Sequence, residues 1–231
     1  MPTGITAWEA WRATRHADVT AARGDLALVE TTWVDGEQPD LVDVLAAKPA
    51  TMSATTVTRS EIDGTVIARG YRLWDAQSAA IKAFVRIDAF AYDPAWVLTG
   101  HFEPFTSEEP VPFEFSRPDA PTRELGVPGE VVVTIADREY RLHAFAKGEQ
   151  LQLVFGDPTN GAESYGTGRF LLLDLDGDSV TLDFNRAFIP PCGFSMHFNC
   201  PLPPTNNRLH VPVRAGEQFP VFRDDFTIYA F

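Results

Sequence analysis

The 231-residue chain lacks any apolar run near the ~18 residues that would carry a helix across a membrane. It has only two cysteines. That is too few for a disulfide scaffold, and a reducing cytoplasmic setting is the expectation. Met1-Pro2-Thr3-Gly4 opens onto two tryptophans and several charges, not onto the basic segment and apolar stretch of a signal peptide. Positive charge is scarce: 19 Lys and Arg against 32 Asp and Glu give a net charge of −13. Such a balance argues against nucleic acid and anionic membrane surfaces as partners. Nothing after Lys48 shows a long helical period, so the βαβ alternation of a parallel sheet is missing. G-x-S-x-G, H-E-x-x-H and Walker loops are also missing, and no cofactor is implied.

What is present is a globular composition, 45% hydrophobic and 22% charged. A chain of this length buries roughly 70% of its unfolded surface and can form one domain over residues 1–231. Thr6-Ala7-Trp8-Glu9 reads as a capping box opening a helix over about 6–22, with Ile5, Trp8, Trp11, Val19 and Ala22 on its apolar stripe and Gly24 as its stop. A short helix is expected at Asp40–Ala47, before Lys48-Pro49.

From Thr51 the period becomes two. Ser53–Ile62 and Thr65–Leu73 flank Asp63-Gly64, a hairpin signal, because glycine adopts positive φ without steric cost. Val131–Ile135, Tyr140–Phe145 and Gln150–Phe155 read as a meander with turns at Asp137-Arg138 and Lys147-Gly148. Tyr140, Leu142 and Ala144 should face one side, and Arg141, His143 and Phe145 the other. Phe170–Leu175 and Val180–Phe184 suggest a third hairpin around Asp176-Gly177-Asp178. The prolines between residues 104 and 129 suggest a long surface connection or a sheet edge. The expected fold is mainly β, an antiparallel barrel or two-sheet sandwich with an N-terminal helix packed outside.

Residues 185–222 differ from the rest. They hold seven of the 18 prolines, both cysteines, and Arg186, Arg208 and Arg214 against the single acid Glu217. A Pro-stiffened segment rich in Arg and Asn presents hydrogen-bond donors from a fixed frame.

Several strings in and before this segment occur in a telling order. They are Phe155-Gly156-Asp157-Pro158-Thr159, then Ser164-Tyr165-Gly166-Thr167-Gly168-Arg169-Phe170, then Leu182-Asp183-Phe184-Asn185-Arg186-Ala187-Phe188. Pro190-Pro191-Cys192, Cys200-Pro201-Leu202-Pro203-Pro204, Asn207-Arg208-Leu209 and Arg214-Ala215-Gly216-Glu217 follow. The series resembles the bacterial and archaeal domain-of-unknown-function family numbered 1684, clearly over about 150–217 and more loosely from about 80. The family pattern often reads Tyr-Asn at Phe188-Ile189 and does not include His197. The resemblance implies a family and carries over no activity, cofactor or catalytic residue.

Candidate chemistry therefore rests on residue types. Cys192, His197, Cys200 and His210 are zinc-type donors at a non-standard spacing, and two separate buried thiols without metal are the expectation. Ser195 with His197, or either cysteine with it, could form a nucleophile and base only with a third orienting group. Gly166-Thr167-Gly168 reads as a strand-entry turn, and Asp157–Gly161 as a turn. Asp183 and Asn185 alternate with Leu182 and Phe184, so they should share a face, with Arg186 at the strand end. Four residues, Asp183, Asn185, Arg186 and Arg208, are expected to meet.

Two functions follow. The first is a small-molecule-binding β domain whose polar pocket takes an organic anion. Its candidate ligand-binding residues are Arg169, Asp183, Asn185, Arg186, Asn207, Arg208, Tyr165 and His101, with Phe194 as cover. Any reaction there would be metal-free hydrolysis or isomerisation using Asp183 or His101. The second is a non-catalytic structural domain, in which the Pro-rich segment 185–222 is a clasp over one barrel end or across a homodimer contact.

Overall fold

Alternating apolar residues in the second half of the chain close a sheet almost completely on itself. The structure is a computed structural model describing residues 4–117 and 119–228. It is mainly β, 46% strand and 18% helix, around a nearly closed seven-stranded antiparallel barrel. In chain order the elements are α1 (Ile5–Thr20), β1 (Leu28–Val34), α2 (Leu41–Leu45), β2 (Met52–Ser60), β3 (Val66–Asp75), α3 (Ala79–Ala83), β4 (Phe84–Ala89), β5 (Val97–Phe113), β6 (Arg123–Ile135), β7 (Arg138–Lys147), β8 (Gln150–Phe155), β9 (Arg169–Leu173), β10 (Leu175–Asp176), β11 (Ser179–Asp183) and β12 (Glu217–Phe222).

The chain divides into two compact units. The barrel unit comprises the chain through Arg12, Ile87–Pro190 and Cys200–Phe219. Its sheet order is β10-β11-β5-β6-β7-β8-β9. The inward face is apolar because the strands alternate. On β7, Tyr140, Leu142 and Ala144 are buried while Glu139 and Arg141 are exposed. Val131, Leu153, Phe155, Leu171, Leu182 and Phe184 complete much of the core, each worth roughly 1.5–3 kcal/mol of burial. The remaining gap is covered by chain. Phe170 on β9 exchanges both backbone hydrogen bonds with Phe188, at 2.9 and 2.8 Å. On the barrel unit's part of α1, Trp8 donates its indole N–H to the Asn185 carbonyl at 2.9 Å.

The second unit comprises Ala13–Arg86, Pro191–Asn199 and the chain from Pro220. Its sheet is antiparallel with order β1-β3-β2, and its β2–β3 hairpin turns at Asp63-Gly64, where Gly64 has φ +85°. Trp74 donates to Thr55 Oγ1 at 2.9 Å and meets the Phe198 ring edge-on. Phe194 is fully buried here.

Several local expectations are corrected. Helix α1 starts at Ile5 and ends at Thr20, so Thr6 lies inside its first turn and does not cap it. Asp40 does cap α2, accepting from Val42 N at 2.8 Å. The β6–β7 turn is Ala136-Asp137, one residue earlier than expected. The hairpin expected around Asp176-Gly177-Asp178 is present but short, joining β10 to β11 with Leu175 opposite Val180. Phe170–Leu173 belong to β9, which pairs with β8, and β11 pairs with β5 on its other side. Strands β5 and β6 run on through much of the Pro-rich stretch, with Pro104 opposite Gly129 and Pro112 opposite Glu124. That is permitted because β11 pairs with β5 only as far as His101. Beyond it β5 is an edge, where a missing N–H breaks no ladder.

The Pro-rich segment of the barrel unit lies against Gly168, which admits nothing larger. Gly168 has φ +93°, and a Cβ there would stand 2.5 Å from Pro203 Cγ and 2.6 Å from the Phe155 carbonyl oxygen. Gly166 has no such conflict, its nearest neighbour in that position being Gly161 at 3.7 Å. Gly168→Ala should therefore lose about 1–3 kcal/mol of stability, and Gly166→Ala should stay within about 0.5 kcal/mol of wild type. Denaturant melts of the two variants check this; equal losses would reject the close-approach account.

Candidate functional site

Asp157 begins the turn after β8, and three groups converge on its carboxylate. Thr159 N donates to Oδ1 at 2.9 Å, Val213 N donates to Oδ1 at 3.1 Å, and Arg169 Nη2 donates to Oδ2 at 2.9 Å. Both side chains of the Arg169–Asp157 pair are fully buried. Arg169 also donates to the carbonyls of Val213, at 2.8 Å, and of Ala215. Burial draws its pKa down, opposed by Asp157 and Glu217, but a guanidinium paired this way remains charged. Glu217 in turn accepts from Ile189 N at 2.8 Å.

Asp183, Asn185 and Arg186 do come together, though not on a strand face. Residues 184–186 form a 3-10 turn capped by Asp183. Asp183 Oδ1 accepts from Asn185 N and from Asn185 Nδ2 at 2.9 Å, and Oδ2 lies 3.3 Å from Arg186 Nε. The Asn185 amide brackets Asp93, accepting from its N–H at 2.9 Å and donating to its carbonyl at 3.0 Å. Arg208 makes no contact with this group among the described residues.

Asn207 repairs the sheet. Pairing of β7 with β8 stops at Ala144 opposite Leu153. Beyond that rung the Asn207 amide stands in for a strand: its oxygen accepts from His143 N at 2.8 Å, and its nitrogen donates to the carbonyls of His143 and Val154. Gly156 N donates to Asn207 O, and Leu209 N donates to Gly156 O. These bonds place Arg208 beside Gly156 with its side chain exposed.

Tyr165 is half-buried, its carbonyl accepting from Asn160 Nδ2 at 3.0 Å. His101 is exposed on β5 and contacts Glu103 at 2.9 Å. In the second unit the Ser195 hydroxyl donates to Leu28 O at 2.7 Å and accepts from His197 N, so its local bonds are structural. Cys192 and Cys200 are buried and not joined in a disulfide, and no cluster of three metal-type ligands occurs among the described residues.

One feature was not legible as a site in the sequence. Gly156, Asp157, Pro158, Asn160, Gly166, Thr167, Gly168, Leu202, Pro203, Arg208 and Leu209 line an open groove of about 540 Å³. Four separate sequence strings meet in it. Asp157 is neutralised by Arg169, and the Asn160 amide is taken up by Asp157 N, Ser164 and Tyr165. The Arg208 guanidinium makes no hydrogen bond or ion pair among the described residues. The signal in the sequence was the recurrence of Gly, Pro and Asn in those strings, which read singly as turns.

Comparison with known proteins agrees with the order of those strings. The model of the family described as Protein of unknown function (DUF1684) matches residues 82–218. The chain belongs to that family. A solved structure similar to it is the solution NMR structure of the uncharacterized protein from gene locus rrnAC0354 of Haloarcula marismortui, at 32% identity. The match covers 58% of this chain and 77% of that one, with a TM-score of 0.48. No curated protein matches the chain.

Two predictions follow from these side chains. Removing Arg169 strands a buried carboxylate, so Arg169→Met should lower stability by about 3–5 kcal/mol, while Arg169→Met with Asp157→Leu should recover part of that loss. A denaturant melt in which the double variant is no better than the single would contradict the pairing. The second concerns His143, whose Nδ1 is buried without a hydrogen-bond partner and whose Nε2 lies 3.4 Å from Glu130. Burial holds its pKa below the usual 6.5, with Glu130 and Glu109 pulling the other way. The unfolded chain therefore takes up a proton on His143 before the folded one does, and stability rises with pH across that interval. The stabilisation is complete above pH about 6.5 and is lost as pH falls through the folded-state value. A histidine NMR titration should place His143 below its unfolded value; a midpoint at or above it would refute the assignment.

Proposed function

We propose that the barrel unit binds a small organic anion in the groove between the Gly156–Gly168 turns and Pro203–Leu209, with Arg208 as the counter-charge. The observation that carries this reading is the exposed guanidinium of Arg208, without an internal partner among the described residues, in a groove of ligand size. The other Arg, Asn and Asp candidates support it as framework: Arg169, Asp183, Asn185, Arg186 and Asn207 are buried and bonded within the unit. The arginine fork matches a planar carboxylate by two parallel hydrogen bonds. The groove carboxylate, Asp157, accepts three protein donors, so the reading is one of binding and includes no reaction.

A second reading, in which the Pro-rich segment 185–222 is a structural clasp, is supported by the Asn207 and Arg169 bonds, which tie its 200–217 part to the barrel sheet. The two are compatible, since the clasp is one wall of the groove. Arg208→Gln separates them. It should stay within about 0.5 kcal/mol of wild type in a denaturant melt, as an exposed site does. Formate should shift the amide resonances of Gly156, Gly166 and Gly168 in wild type at millimolar concentration and leave them unmoved in Arg208→Gln. Equal shifts in both proteins would reject Arg208 as the counter-charge. A large stability loss in the variant would favour the clasp alone.

A further inference from the structure

The groove has one uncompensated charge and a lining that is part polar and part apolar. Asp157 and Arg169 cancel, and the exposed Arg214 is held by Glu163 through two hydrogen bonds at 2.8 and 2.9 Å. That leaves a single positive charge at the groove, Arg208, in a chain of net charge −13. The apolar part is Pro158, Leu202, Pro203 and Leu209, and Asn160 and Thr167 line it beside them. Gly166 contributes no side chain, and a Cβ there would meet only Gly161 at van der Waals distance.

This combination sorts anions. An exposed ion pair alone contributes little binding, because water and salt screen it. A bare anion should therefore associate weakly, and retention must come from apolar area removed from water. A dianion such as phosphate brings a second negative charge with no cation to meet it, against the field of an acidic protein. A monocarboxylate leaves no charge over, and the guanidinium fork donates to both its oxygens in plane.

Building on the anion-binding reading, we propose that the ligand is a monocarboxylate with a short aliphatic body, its carboxylate on Arg208 and its chain along Pro158, Leu202 and Pro203. The experiment is a calorimetric or NMR titration of the full chain with acetate, butyrate and hexanoate. Inorganic phosphate and hexylamine are titrated in parallel, with Arg208→Gln and Gly166→Phe as variants. Affinity should rise at least about threefold from butyrate to hexanoate, as expected for partly buried methylenes. It should fall about two- to fivefold in Arg208→Gln, as for an exposed ion pair. Gly166→Phe, which introduces a ring at the groove floor, should weaken hexanoate more than acetate. Phosphate binding as tightly as hexanoate, and depending on Arg208, would overturn the aliphatic monocarboxylate and leave the anion reading standing. Hexylamine binding as well as hexanoate would show apolar adsorption and overturn both. Carboxylates that shift no groove amide in wild type would also overturn both.

Discussion

The buried pair of Arg169 and Asp157 is the constraint on which the last third of the barrel unit depends. Taking both charges out of water costs several kcal/mol per ion after relaxation. That cost is offset only if the remaining donors and lone pairs are met. Here they are met by backbone from a distant stretch of chain: Val213 N on the carboxylate, and the carbonyls of Val213 and Ala215 on the guanidinium. The pair thus cannot be satisfied by β8 and β9 alone. It requires the chain at 213–215 to lie across the turn after β8, and that fixes where the Pro-rich segment must run.

Asn207 fixes the same segment at a second point, by a different means. Sheet edges leave backbone groups unpaired, and buried ones must find partners. Where β7 and β8 diverge, the Asn207 amide supplies both a donor and an acceptor to the open rung. The chain before Asn207 also has little freedom: Leu202 N donates to Glu114 O at 2.8 Å, Pro203 and Pro204 restrict φ, and Pro203 lies against Gly168, where a Cβ would collide with it. The groove wall is rigid because it is tied at both ends and stiff in between. A preorganised wall loses less entropy on binding than a mobile loop would.

Period-two alternation revealed the fold well. Tyr140, Leu142 and Ala144 alternate with Arg141 and His143 because one face of β7 is core and the other is wet, and a pattern of period two reports that contrast directly. Elements whose burial is mixed were less visible. Strand β1 carries Glu30, Thr31 and Thr32 in a half-buried setting and gave no clean alternation. The prolines of β5 suggest a surface connection or a sheet edge, because an edge cannot be told from a loop without knowing its neighbour. Asp183 and Asn185 were placed on one strand face, yet Asp183 caps a 3-10 turn. A short polar side chain two residues before a backbone N–H does this readily, and alternation alone cannot separate the two. The framework group of Asp183, Asn185 and Arg186 was legible; its separation from Arg208 was not, because that depends on where the clasp crosses the sheet.

Arg169, Arg186 and Arg208 look equivalent as letters in neighbouring strings. What distinguishes them is the donor and acceptor count of their surroundings. Arg169 follows Gly168 at the start of β9, directly under residues 213–215, where two carbonyls and a carboxylate point inward. Arg186 ends a turn whose cap, Asp183, is three residues back, so its partner is local. Arg208 sits between Asn207 and Leu209, both buried, and its own backbone bridges Gly156. Its neighbours hold the backbone so tightly that its side chain is left pointing to solvent over the groove. Water solvates a long cationic side chain there, and it adds nothing to the core. The backbone of Arg208 therefore serves the sheet, while its guanidinium makes no hydrogen bond or ion pair among the described residues.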